Sequence, residues 1–141
     1  MKSVVDFIDD HVSSDRVIIL GQCPSSKTKA SVNGTFVRLK KWCDAVDLHE
    51  WDFHNVIHDK INSYDPADVD VDALIKKTNG KQVVIALGGF VERICKKHAI
   101  SCYKVDHPSP RNRNLNDPDY ELRMLKSLKR FLDEHRNNGI L

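Results

Sequence analysis

The chain reads as an α/β domain, a three-layer α/β/α arrangement with a four-stranded parallel sheet, and three observations predict it. The apolar runs Val17-Ile18-Ile19-Leu20 and Val83-Val84-Ile85-Ala86-Leu87 are stopped by Gly21 and by Gly88-Gly89, as expected of strands covered on both faces. Segments with helical spacing separate the strands. No repeat, low-complexity tract or linker interrupts the alternation, so right-handed crossovers put helices on both faces of the sheet.

The elements follow in order. Val4, Val5, Phe7, Ile8 and Val12 suit a short amphipathic helix, and the first strand begins after Asp15-Arg16. Gln22 to Asn33 is rich in Ser, Lys, Thr and Pro and reads as a loop. Phe36, Val37, Leu39, Trp42, Cys43 and Val46 predict a helix from about Thr35 to Val46 that exposes Arg38, Lys40 and Lys41. Trp51 to Ile57 reads as the second strand. Pro66 to Lys77 reads as one helix opened by Asp65 as N-cap and closed by Asn79-Gly80. Phe90 to His98 is the next helix and Ser101 to Val105 the fourth strand. A last long helix runs from Asp117 or Pro118 to about Asn137.

Bulk properties bound the function. With 141 residues, 40% of them hydrophobic, the chain buries one core and not two, so residues 1–141 are read as a single domain. A formal charge of +2, from 22 basic and 20 acidic residues, requires any nucleic-acid partner to be met by a local basic patch. No apolar run is long enough to span a membrane, and Asp6 comes too early for a secretory signal, so a cytoplasmic location is expected. Cys23, Cys43, Cys95 and Cys102 show no C-x-x-C spacing and read as reduced thiols; all but Cys23 sit among apolar residues and are expected in the core. No metal site is implied.

In a parallel α/β sheet the ligand lies beyond the carboxyl ends of the strands. Four segments leave those ends: the Gly21-Gln22-Cys23-Pro24 loop, the residues around Asn55, the Gly88-Gly89 turn, and the loop that starts at His107. In the first loop, backbone N–H groups near Gln22 and Cys23 turn outward toward a polar ligand, although a plain strand-to-loop turn explains the segment taken alone. In the last, Pro108 and Pro110 fix the backbone on both sides of Ser109, between His107 and the polar run Arg111, Asn112, Arg113, Asn114.

These residues resemble the uracil-DNA glycosylase superfamily. Gly21-Gln22-Cys23-Pro24 is similar to the family's Gly-Gln-Asp-Pro-like loop after the first strand, and His107-Pro108-Ser109-Pro110 to its His-Pro-Ser-Pro loop after the last. The continuation Arg111-Asn112 looks most like the single-strand-selective monofunctional branch. Trp51 to Val56 resembles the second-strand segment with its base-reading Asn, here Asn55, and Val84 to Gly88 resembles the third strand. The likeness covers four short blocks in order over most of the chain, and it implies a sheet order of 2-1-3-4.

What the resemblance implies is a monofunctional DNA glycosylase of base excision repair. It extrudes a nucleotide from the helix and hydrolyses the bond between base and deoxyribose. Asn55, with Gln22 and Ser25, would contact the base, since a carboxamide pairs with a pyrimidine's adjacent carbonyl and N–H. His107 would donate a hydrogen bond to the departing base, helped by groups near Gln22 and Cys23. Ser109, Pro110, Arg111, Arg113 and Lys27 would meet the DNA, Arg111 as a wedge into the vacated stack and Arg113 on a phosphate. No Lys falls where a Schiff base would form. The implied partner is DNA, single- or double-stranded, with no cofactor, no membrane and the chain acting as a monomer. Each residue also has a bland reading: Asn55 as a loop tie, His107 as a structural histidine, and Arg111, Arg113, Lys27 and Lys29 as solvated charges.

Two departures matter. Cys23 stands where the family's best catalysts carry Asp, and a thiol group holds little negative charge at neutral pH, so less is available to orient water or to stabilise a cationic sugar. Losing one such contact costs about 3 kcal/mol, roughly a hundredfold in rate. Ser25 stands where the most uracil-restricted branch carries Tyr, leaving room for a 5-substituted pyrimidine such as 5-hydroxymethyluracil beside uracil. Two further readings stay open: a catalytically weakened or silent DNA- or base-binding module, and an enzyme acting on a free nucleotide with Cys23 as a His-activated nucleophile.

Overall fold

Strand-forming runs dictate the sheet, and their pairing explains where its two cores lie. The structure is a computed structural model that describes residues 16–24, 34–60, 63–109 and 112–139. The helix expected over Val4 to Val12 lies outside the described residues, as do Ser25, Lys27, Lys29, Pro110 and Arg111. Strands β1 (Val17–Gly21), β2 (Asp52–Asn55), β3 (Val83–Leu87) and β4 (Tyr103–Val105) form a four-stranded sheet in the order β2-β1-β3-β4, every pair parallel. The order matches the one the resemblance implies.

Helices α1 (Gly34–Ala45) and α4 (Pro118–Asn137) cover one face, and α2 (Val71–Thr78) and α3 (Gly89–Lys97) the other, giving three layers. Side chains alternate along each strand. Val17, Ile19, Ile85 and Val105 thus pack with Phe36 and Trp42 of α1 and Leu132 of α4, while Ile18, Leu20 and Ala86 pack with Leu74 of α2 and Val91 and Ile94 of α3. Each buried aliphatic side chain contributes about 2 kcal/mol of transfer free energy. Two of the cysteines expected in the core, Cys43 and Cys95, are buried, and desolvation pushes both thiols up to about 12. Cys102 is half-buried against the α2/α3 core.

The helix expected over Pro66 to Lys77 is two elements. Asp65 does cap, but it caps a 3₁₀ turn, Pro66–Asp68, accepting from the Ala67 N–H at 3.0 Å. Val69 and Asp70 then run extended, and Asp70 opens α2 by accepting from Ala73 N–H at 3.0 Å. The break has two tertiary causes: the Asp70 N–H donates to the Val56 carbonyl at 3.1 Å, and Val69 turns into the α2/α3 core. The second strand is shorter than Trp51 to Ile57. Val56 and Ile57 nevertheless donate their N–H groups to the Gly21 and Gln22 carbonyls, each at 2.9 Å, tying the loop after β2 to the end of β1.

Candidate functional site

Gly21 is the first determinant at the carboxyl edge, through the side chain it lacks. It pairs in register with Asn55, and a Cβ at Gly21 would lie 2.5 Å from Asn55 Oδ1 and 2.8 Å from Phe53 Cζ. The glycine therefore lets the Asn55 carboxamide lie over the strand end. Asn55, 8% exposed, is the buried polar residue among the described ones, and within that set no hydrogen bond engages its carboxamide. Phe53, two residues earlier and hence on the same face, meets Phe36 of α1 edge-to-face with ring centroids 5.6 Å apart. An aromatic wall thus flanks Asn55. Neither ring was read as part of a site from sequence, although the two-residue period that puts Phe53 beside Asn55 was there to be read.

Gln22 and Cys23 take a different direction. Gln22 Nε2 donates to the Ser63 carbonyl, and Cys23 Sγ faces the same oxygen at 4.0 Å while packing against the α2/α3 core. Gln22 thus acts as a strut that holds residues 63–65 against the first loop. His107 and Cys23 form no dyad among the described hydrogen bonds, because His107 Nδ1 and Cys23 Sγ each face another group.

The His107 loop is braced on every side that is described. Its imidazole rests on Gly88, where a Cβ would lie 3.4 Å from His107 Cβ; Gly88 has φ +89°, a left-handed conformation that favours glycine. The Gly88 N–H donates to the Val105 carbonyl at 2.8 Å, joining this turn to the end of β4. Ser109 N–H donates to His107 Nδ1 at 3.1 Å. With Nδ1 an acceptor, the neutral ring carries its proton on Nε2 and presents a donor there. Burial pushes the imidazole below its ordinary value of 6.5 and so keeps it neutral.

A side-chain network closes the loop behind His107. Asn112 Nδ2 donates to Asp106 Oδ2 at 3.1 Å and to the His107 carbonyl at 3.2 Å, and Asn112 Oδ1 accepts from the Asn114 N–H. Tyr120 of α4 donates its hydroxyl to Asp106, 2.8 Å from Oδ1 and 2.9 Å from Oδ2, which raises the Tyr120 pKa. Asp106 and Tyr120 were missed in the sequence. Asp106 had one signal, its place directly before His107. Of the residues expected to meet DNA, Ser109 has its backbone engaged with His107 and Asn112, and Arg113 stands exposed on the 3₁₀ turn Arg113–Asn116.

His54 points to the opposite face of β2 from Asn55. Its Nε2 is buried without a hydrogen-bond partner among the described residues, and desolvation, with help from Lys77 and His58, lowers its pKa. Among the described residues no group of three His, Cys, Asp or Glu side chains is arranged to hold a metal ion, and no helix is long and apolar enough to cross a membrane. No family model, curated protein or solved structure matches the chain.

Proposed function

We propose that the protein is a monofunctional DNA glycosylase that takes an extruded uracil or 5-substituted pyrimidine and hydrolyses its N-glycosidic bond. The observation that carries this reading is the state of His107: a neutral imidazole whose Nδ1 is occupied by the Ser109 N–H, leaving Nε2–H as a fixed donor at the carboxyl edge of the sheet. The buried Asn55 carboxamide supplies the complementary reader at the end of β2. Asn55 at the end of β2 and His107 just beyond β4 flank the ends of the two central strands, β1 and β3.

In the reaction the C1′–N1 bond breaks and its electron pair passes to the base, where it delocalises onto the O2 carbonyl. The His107 Nε2–H stabilises that oxyanion, and the neutral ring does so without having to surrender a proton. Water adds to C1′ and loses its proton to solvent, which also protonates the departing base, so the products are a free pyrimidine and an abasic site. The Phe36–Phe53 wall offers an apolar surface beside the base edge read by Asn55.

A second reading, a base-binding module with weakened or absent catalysis, is favoured by Cys23, whose thiol faces a carbonyl and an apolar cluster where the resembling family carries an acid. A release assay on oligonucleotides containing uracil, 5-hydroxymethyluracil or a mismatch separates the two. The glycosylase reading expects free base from at least one substrate and a fall of about a hundredfold in His107→Ala. Binding without release from any of them selects the silent module.

A further inference from the structure

Outside the candidate site, two cysteines meet where α3 turns back into β4. Cys95, fully buried in the last turn of α3, and Cys102, half-buried directly before β4, both pack into the α2/α3 core, and their side chains are hydrogen-bonded to each other. The turn that brings them together is fixed by its backbone. Ile100 N–H donates to the Cys95 carbonyl at 2.8 Å and Ala99 N–H to the Lys96 carbonyl at 3.3 Å, the paired pattern that closes a helix on a left-handed residue. That residue is Ala99, with φ +57°, a conformation that favours glycine and is held here in spite of the alanine Cβ. Two residues after the closing bond, Cys102 stands at the entry to β4, whose Tyr103 pairs with Ile85 of β3. The spacing of the two cysteines carries no C-x-x-C signal, and it is the turn that makes them neighbours.

The two thiols are chemically unequal. Desolvation raises both, Cys95 to about 12, and on top of that their mutual hydrogen bond disfavours the thiolate of Cys95 and favours that of Cys102. Cys102 also has the partial exposure that a small reagent needs, and Cys95 has none. We propose that Cys95 and Cys102 are a redox pair that a peroxide closes to a disulfide, with Cys102 as the attacking and Cys95 as the resolving cysteine. The Cys102 thiolate attacks one oxygen of hydrogen peroxide and breaks the O–O bond, giving a sulfenic acid and a hydroxide that takes up the proton Cys102 lost. The Cys95 sulfur then attacks the Cys102 sulfur, the S–S bond forms, and the Cys95 proton leaves with the hydroxyl as water. Two thiols lose two electrons, and one peroxide becomes two waters. The bridge closes residues 95 to 102 into a ring across a turn that is already folded. It ties α3, which follows directly on the Gly88 seat of His107, to β4, which leads into the His107 loop.

The test is incubation of the folded, fully reduced protein with hydrogen peroxide, followed by thiol blocking and tryptic mass spectrometry without reductant. The expected product links residues 94–96 to residues 98–104 in one species, about 2 Da lighter than the two reduced peptides together, which dithiothreitol separates. Closure is expected to speed up by about tenfold from pH 7 to pH 8, as the thiolate fraction does below the pKa of a raised thiol. The bridged protein is expected to melt about 5 °C above the reduced one, and peroxide-treated Cys102→Ser to show no such rise. Recovery of Cys102 as a thiol or a sulfinic acid, with Cys95 still blocked as a thiol, overturns the proposal, because the two sulfurs then do not react with each other. A bridge that forms only in urea, or one that lowers the melting temperature, also overturns it, by showing that the folded turn does not hold the pair in position.

Discussion

The two loops that carry the resemblance to glycosylases are held in opposite ways. The His107 loop is fixed by its own backbone and side chains and by α4: Asn112 ties Asp106 to the His107 carbonyl, Tyr120 reaches Asp106 from α4, and the Ser109 N–H occupies Nδ1. The Gly21 loop instead lends its side chains outward, Gln22 to Ser63, while its contribution to the site is the space above Gly21 that Asn55 fills. A donor poised for a developing charge needs a rigid mount, because a loose one loses its electrostatic advantage to reorganisation. A loop that shapes a pocket needs only a backbone of the right contour. In this protein the loop after β4 is rigidly mounted, and the loop after β1 carries Cys23 where the family it resembles carries an acid.

Placing an acid at position 23 is the largest test of the contrast. Cys23→Asp is expected to raise base release by about a hundredfold if the missing carboxylate is what separates the two loops in function. An unchanged rate, measured with the most readily released base, would mean that the orientation toward Ser63 and not the thiol limits the first loop. Next in size is Gly21→Ala. Its Cβ would fall 2.5 Å from Asn55 Oδ1 and 2.8 Å from Phe53 Cζ, so a loss of about 2 kcal/mol in chemical denaturation is expected, along with weakened uracil binding. Full binding by the variant would show that Asn55 is not the reader.

The smallest effect probes the brace. Tyr120→Phe removes the hydroxyl that Asp106 accepts and is expected to cost about 1 kcal/mol. Its sharper readout is the titration of His107 followed by NMR. Burial holds that imidazole below 6.5, so the stability of its neutral form is fully present above 6.5 and is lost as pH falls through the lowered folded value. A loosened loop lets water reach the ring, and the acid limb then moves up toward 6.5. A titration identical to that of the unsubstituted protein would mean that the Asp106 network does not govern the burial of His107.

Much of this organisation was legible in the chain. The buried runs of β1 and β3, the glycines that end them, and the start of α4 at Pro118 with Asp117 as its cap all follow from local rules of burial, turn and capping. The chemistry-bearing types, His107 and Asn55, were visible at strand ends for the same reason. The split of the Pro66 to Lys77 segment was not legible, because Asp65 and Asp70 are both competent caps. A long-range bond to the Val56 carbonyl and the burial of Val69 chose to use both.

By itself, then, the sequence determined the alternation of elements, the three-layer parallel fold and the kinds of group available at its carboxyl edge, since hydrophobic period and turn chemistry are properties of neighbouring residues. Only the tertiary structure decided how those groups are held. The bond from Gln22 to Ser63 spans 41 positions, and Tyr120 reaches back 14 positions to Asp106. The imidazole's tautomer and burial, the placement of Asn55 over Gly21 and the meeting of Cys95 with Cys102 depend on hydrogen bonds and close contacts with specified geometry, and residue type alone does not encode that geometry.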